Sequence, residues 1–132
     1  MSNELIESVW IEKYRPSKLE DLIFSDKDKI LNILKDNKSI PSILLYSVSP
    51  GTGKTTLAKI ICSYLKCDTL HFNASKDRGI DILREQILLF SQSLSSSDSK
   101  RCVFMDEFDG STAQLQNALK SMMEEYSDNV FF

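Results

Sequence analysis

The sequence predicts an α/β fold in which helices cover a parallel sheet, and three observations carry that expectation. Apolar runs of strand length alternate along the chain with stretches of helical period. Two of the strand-like runs end in polar clusters of opposite character, one around Gly51 and Gly53 and one at Asp106-Glu107. Those clusters lie about fifty residues apart, room for the one or two crossover units that a parallel sheet needs.

Taken in order, Ser25 followed by Asp28 forms a capping pair ahead of a helix carrying Ile30, Leu31, Ile33 and Leu34. Ser42 to Ser47 is the first strand. From about Gly53 to Leu65 the residues Leu57, Ile60, Ile61 and Leu65 recur at i, i+3, i+4 and i+8, one face of a helix. Thr69 to Asn73 is the second strand. Gly79 to about Ser91 is helical through Ile80, Leu83, Ile87 and Leu88, and Ser91 to Ser99 is a polar loop. Arg101 to Glu107 is a short buried strand closing in two carboxylates. Ser111 with Gln114 makes a capping box for a last helix to about Tyr126. Asn129-Val130-Phe131-Phe132 begins a further apolar strand, and with no turn or cap after it the sheet reads as cut. There is no internal repeat.

Composition bounds the function. At 132 residues and 42% hydrophobic content the chain is one domain with enough apolar material for a core. With 16 basic against 19 acidic residues it has no global basic field, so any DNA contact must come from a local patch or from helix N-termini. Cys62, Cys67 and Cys102 are odd in number and lack metal-ligand spacing, which predicts reduced, buried thiols in an intracellular protein. The start Met1-Ser-Asn-Glu-Leu lacks signal-peptide character and no apolar stretch is long enough to span a bilayer, so a soluble cytosolic protein with no membrane partner is expected.

Chemistry enters at Ser47-Val-Ser-Pro-Gly-Thr-Gly-Lys-Thr-Thr56, set between a strand and a helix. That is the placement of a nucleotide phosphate loop. Gly51 and Gly53 free the backbone to turn its N–H groups toward phosphate oxygens, and the opening helix adds its positive end. Lys54 would reach the β- and γ-phosphates of ATP, and Thr55 would offer its hydroxyl to Mg²⁺. The strict pattern G-x-x-x-x-G-K-[ST] is not met, because Val48 stands where its first Gly belongs. A solvated turn is the bland reading of Gly-Lys-Thr alone; the flanking strand and helix weigh against it.

Asp106, at the carboxyl end of its strand, is placed to hold the Mg²⁺ shell, and Glu107, on the other side of the pleat, to polarise an attacking water. Two acidic residues closing a surface strand are ordinary by themselves; their pairing with the loop gives them meaning. His71, the only histidine, alternates with apolar neighbours and is expected to be a hydrogen-bonded structural residue. Tyr46, Phe72 and Phe104 are expected in the core.

Trp10-Ile-Glu-Lys-Tyr-Arg-Pro16 resembles the N-terminal signature of the sliding-clamp-loader ATPases of the AAA+ superfamily, the replication factor C small subunits and their phage counterparts. Asn73-Ala-Ser-Lys-Asp-Arg-Gly79 onward to Ile87, and Asp106-Glu-Phe-Asp109 through Gln116 to Ser127, are similar to further segments of that family. Ser47–Pro50 and Ile40-Pro-Ser-Ile43 resemble the large subunits of T4-type phage loaders, whereas Asn73–Gly79 is closer to the cellular proteins.

The resemblance implies an α/β P-loop NTPase, a three-layer sandwich with a parallel sheet truncated before the end of the sheet. It divides the chain into an adenine-pocket segment, 1–24, and a partial ATPase core, 25–132, without lid or collar domains. It implies that Ile11, Glu12, Lys13, Tyr14 and Ile23 line the adenine pocket, and that Gly51, Thr52, Gly53, Lys54, Thr55 and Thr56 cradle the phosphates. Asp106 and Thr55 would serve Mg²⁺ and Glu107 the attacking water. Arg78 would be a basic switch that restrains Glu107 until DNA binds. Ile80, Arg84, Ser111 and Thr112 would follow the DNA backbone, and Lys120 would couple neighbouring sites.

The implied function is DNA-stimulated ATP hydrolysis in a ring of loader subunits that opens a sliding clamp and loads it on primer-template DNA during replication, this stretch being inactive alone. A phage protein would work in the host cytoplasm and a eukaryotic one in the nucleus. Two alternatives stand beside it: a scaffold subunit that binds nucleotide or DNA without hydrolysis, which Glu107 argues against, and another AAA+ replication ATPase such as a helicase loader, which should lack the Glu-Lys-Tyr-Arg-Pro signature.

Overall fold

The computed structural model describes residues 9–36, 39–76, 79–93 and 99–132. The elements are helices α1 (Trp10–Lys13), α2 (Lys27–Lys35), α3 (Lys54–Tyr64), α4 (Ile80–Gln92) and α5 (Ala113–Glu125) and strands β1 (Asp68–Asn73) and β2 (Arg101–Asp106). Single 3₁₀ turns lie at Leu19–Asp21 and Phe108–Gly110. Strands β1 and β2 pair in parallel, from Asp68 opposite Arg101 to Asn73 opposite Asp106. Because α4 returns the chain to the same edge between them, both strands end at one rim, and that rim collects Asn73 and Asp106.

Beyond β2 the sheet continues through short contacts. Phe131 bridges Cys102 in parallel, with the Val103 N–H donating to the Phe131 carbonyl at 2.9 Å. On its far side the Ile43 N–H donates to the Phe132 carbonyl at 2.7 Å. The spatial order is therefore 68–73, 101–106, 131–132, 42–43, which sets the run leading into the glycine loop two strand spacings, about 10 Å, from β2.

Alternation along the strands sends side chains to two cores. Phe72 and Val103 join Leu83 and Ile87 of α4 and Leu115 and Met122 of α5 in one cluster; Leu83, Ile87, Met122 and Val103 have no appreciable exposure. Cys102 points to the opposite face, against Cys62 of α3. There Leu57, Ile60 and Ile61 of α3 pack with Leu19 and with Leu34 of α2. Helices on both faces of a parallel sheet make three layers, as the sequence predicts.

Several expectations change in detail. Ser42–Ser47 forms no strand ladder, because the neighbour it meets, Phe131-Phe132, supplies one backbone bond and a contact to the Ser42 hydroxyl. It keeps a strand's alternation all the same, Leu45 inward and Leu44 and Tyr46 outward. Tyr46 is thus 80% exposed rather than core. Leu88 also lies at the surface, and Ser91 is the buried residue one turn on. Ser25 does not cap α2: its hydroxyl donates to Asp26, whose carboxylate also receives Lys29 at 2.7 Å. The cap of α5 is Thr112 and not Ser111, its hydroxyl accepting from the Leu115 N–H at 3.2 Å. The polar loop expected over Ser91–Ser99 has its middle, 94–98, outside the described residues, while Ser91 and Gln92 complete α4.

Candidate nucleotide-binding site

The loop between the extended run and α3 is organised by one hydroxyl. Ser47 Oγ donates to the Ser49 carbonyl at 2.8 Å and accepts from Lys54 Nζ at 2.7 Å. A hydroxyl has one proton, so in its 2.7 Å contact with Thr52 Oγ1 the threonine donates. Val48, the departure from the strict glycine pattern, is 90% exposed, so its side chain points out of the loop and Ser47 provides the polar centre. Gly51 and Gly53 have φ of +72° and +86°, left-handed backbone that β-carbon-bearing residues enter only with strain. A Cβ at either would meet nothing within 4 Å, so dihedral strain alone asks for glycine there.

Past the turn at Pro50–Gly51, the backbone N–H groups from Gly53 to Thr56 find no backbone acceptor among the described residues. A run of unanswered donors at the start of an eleven-residue helix suits the oxygens of a polyphosphate, and the residues present therefore fit ATP. Across the loop, Thr55 Oγ1 donates to Asp106 Oδ1 at 3.1 Å. These are the hard oxygen donors that Mg²⁺ takes, so the same pair fits the metal.

Glu107 stands where the sequence places it, but the pleat does not aim it. Strand β2 ends at Asp106, and Glu107 takes a left-handed turn, φ 53° and ψ 40°, with its N–H donating to Asp106 Oδ1 at 3.0 Å. Its carboxylate accepts a hydrogen bond from the Ser75 hydroxyl. Ser75 also contacts Asn73 Oδ1 at 2.7 Å, and that oxygen accepts from the Ser75 and Lys76 N–H groups at 3.0 and 3.2 Å. The Ser75 hydroxyl first and the Asn73 side chain second hold the Glu107 carboxyl below the usual carboxylate range, against a small opposing effect of burial. Glu107 is therefore a carboxylate, tethered sideways. Sequence reasoning missed Asn73 and Ser75 as its partners; the signal available was Asn73 ending the neighbouring parallel strand, level with Asp106.

His71, expected as a hydrogen-bonded structural residue, packs by its ring at the rim of the sheet. It is half exposed, stacks on Phe104 at 4.7 Å between ring centroids, and has Nε2 3.8 Å from Asp106 Oδ2.

The structure does not gather the expected adenine wall. Tyr14 is 71% exposed and Ile23 fully so. The α1 residues contact one another instead: Glu12 pairs with Arg15 at 2.7 Å, and Tyr14 lies under Lys13 and edge-on to Trp10. The apolar residues of this stretch that do pack are Leu19, Leu22 and Phe24, in the α2–α3 core. Ile11 lies within α1. Arg78 lies outside the described residues.

The four residues expected along DNA fall at two places. Ile80 opens α4 with its side chain packed on the core, which leaves its backbone at the helix start. Arg84 is exposed one turn on, close enough to Tyr126 to oppose the rise that burial and Glu125 impose on that phenol. Ser111 and Thr112 sit at the other end of α5 from Tyr126, about 20 Å of helix away. Lys120, on the exposed side of α5, borders a groove of about 690 Å³ with Phe108, Gln116 and Met123, away from the glycine loop. Among the described residues no cluster of three or more His, Cys, Asp or Glu side chains could hold a metal, and no helix is long and apolar enough to cross a membrane.

A parallel sheet layered by helices, with a glycine loop and an acidic strand end joined at its rim, defines a phosphate-loop ATPase fold. Residues 43–132 match the ATPase family associated with various cellular activities (AAA), and the chain belongs to that family. It is 40% identical to a replication factor C small subunit of Haloarcula marismortui over 96% of this chain and 40% of that protein. It is 39% identical to a probable replication factor C subunit 5 of Caenorhabditis elegans, over 93% of this chain and 38% of the relative. A replication factor C small subunit of Saccharolobus solfataricus is 37% identical over 100% and 42%. The chain thus spans about 40% of the length of these relatives.

Proposed function

We propose that this chain is the nucleotide-binding part of a DNA-replication clamp-loader subunit that binds and hydrolyses ATP. The observation that carries the reading is the joint between Thr55 and Asp106, which links the phosphate loop to the acidic strand at the rim where Glu107 follows. In this reading the N–H groups of Gly51–Thr56 and the Lys54 ammonium bind the phosphates, Lys54 leaving Ser47 as it does so. Thr55 and Asp106 hold Mg²⁺, which neutralises charge on the β- and γ-phosphates when bound. Glu107 accepts a proton from the attacking water once it has left Ser75.

The replication factor C relatives support membership of a multi-subunit ring that acts on a sliding clamp and primer-template DNA, in a soluble, intracellular setting. Within that ring Ile80, Arg84, Ser111 and Thr112 would meet DNA phosphates, Arg78 would transmit DNA binding to the Glu107 tether, and Lys120 would couple adjacent subunits. Ile11–Tyr14 and Ile23 would line the adenine when nucleotide is bound. A phage source is favoured by Ser47–Pro50, while the relatives named above are archaeal and animal. The test is ATP turnover by the full-length subunit in its reconstituted complex, with and without primer-template. Lys54→Ala should lower kcat/KM about 10²-fold or more, and Arg84→Ala should weaken DNA stimulation with a shallower salt dependence. Full turnover by Lys54→Ala would rule out the site.

A further inference from the structure

The three cysteines are reduced, and two of them face each other across the layer between α3 and the sheet. Cys62 Sγ lies 3.7 Å from Cys102 Sγ, in an S–H···S contact. Cys62 sits in the last turns of α3, the helix that Lys54 and Thr55 open; Cys102 sits near the start of β2, the strand that Asp106 ends. Cys62 is half-buried and Cys102 buried, so a reagent arriving from solvent meets Cys62 first.

We propose that Cys62 and Cys102 are a redox pair that closes to a reversible disulfide and so couples thiol oxidation to the nucleotide site. Cys62 is the attacking sulfur. The contact with the Cys102 thiol lowers the Cys62 thiol from its usual range, against the opposing effect of burial, which favours the thiolate that attacks. Cys102 is held the other way, its thiol pushed up by the contact with Cys62 and by burial, which suits a second sulfur that reacts only after the first has been capped. Cys67 is pushed up to about 12 by burial and by the charge of Cys62, and takes no part.

With glutathione disulfide as oxidant the step balances. The Cys62 thiolate attacks one sulfur and releases one glutathione thiolate, leaving a mixed disulfide on Cys62. Cys102 gives up its proton, attacks Cys62 Sγ and releases the second glutathione thiolate. The protein loses two electrons and two protons, and one glutathione disulfide becomes two glutathiones. A disulfide bond of about 2.05 Å shortens the present 3.7 Å separation. It draws α3 onto β2, the same two elements that meet at Thr55 and Asp106. Disulfides in reducing compartments are mostly transient and signalling.

The full-length protein, fully reduced, is treated with glutathione disulfide, its free thiols are blocked with N-ethylmaleimide, and its peptides are mapped by mass spectrometry. The expected products are a Cys62–Cys102 linked peptide pair, its disappearance with dithiothreitol, and its persistence in Cys67→Ser. Cys102→Ser should instead accumulate glutathione on Cys62. Oxidation should reduce ATP turnover of the complex, dithiothreitol should restore it, and the Cys102→Ser protein should show no such oxidised, linked form. Absence of the Cys62–Cys102 link, or a link through Cys67, overturns the pair. A link formed with turnover unchanged overturns the coupling to the site, a result distinct from a preparation that has no ATP turnover when reduced.

Discussion

Thr55 Oγ1 and Asp106 Oδ1 are 3.1 Å apart although 51 residues separate them in the chain. One opens the helix after the glycine loop and the other ends the strand that carries the acidic pair. Their meeting requires the crossover through β1 and α4, so it is the point at which fold becomes site.

Thr55→Val keeps size and shape and removes the hydroxyl. Mg²⁺-dependent ATP binding by the full-length protein should weaken roughly tenfold or more, while Mg²⁺-free nucleotide binding changes little. Asp106→Asn should behave in the same way. Titration of a fluorescent ATP analogue with and without Mg²⁺ checks both; equal losses in the two conditions would mean that the pair serves folding and not the metal.

Ser75→Ala removes the hydroxyl that does most to hold the Glu107 carboxyl low. Its carboxyl should then rise toward the ordinary range. A lowered value keeps the group ionised to lower pH, so the acid limb of the pH–rate profile should move to higher pH in the variant. Basal ATP turnover without DNA should increase, because the carboxylate is no longer held aside. An unmoved acid limb together with unchanged basal turnover would show that the Ser75 contact does not restrain Glu107.

Leu83 has no exposed surface and ties α4 to both strands of the sheet. Leu83→Ala should cost about 2–5 kcal/mol of stability. Urea unfolding followed by circular dichroism measures it, and a loss near zero would show that the cluster collapses to fill the gap. The exposed Leu88 makes a comparison on the same helix, and its change to Ala should cost far less.

Much of this was legible from local pattern. Leu57, Ile60 and Ile61 announce the buried face of α3, and the unbroken apolar run Cys102–Met105 announces a strand flanked on both faces. The glycine loop and the acidic pair are local too, since each is a short run of residues doing its work on one turn. What escaped depends on contacts between segments. Thr112 takes the cap because its hydroxyl, not that of Ser111, comes level with the Leu115 N–H. The restraint on Glu107 needs Asn73 and Ser75 brought level with Asp106 by strand pairing, and no spacing along the chain reports that. Tyr46 looked like core because it lies in an apolar run; which of its two faces is covered depends on what pairs beside it.

The measurement that bears most directly on the site is Glu107→Gln in the full-length protein, with ATP binding and steady-state phosphate release read on the same preparation. The change removes a proton acceptor and leaves the glycine loop, Lys54, Thr55 and Asp106 in place. Binding should be retained, and turnover should fall about 10²–10⁴-fold, the range a positioned general base supplies. Turnover equal to that of the parent protein would contradict the assignment of Glu107, and with it the reading of this rim as a site that hydrolyses ATP.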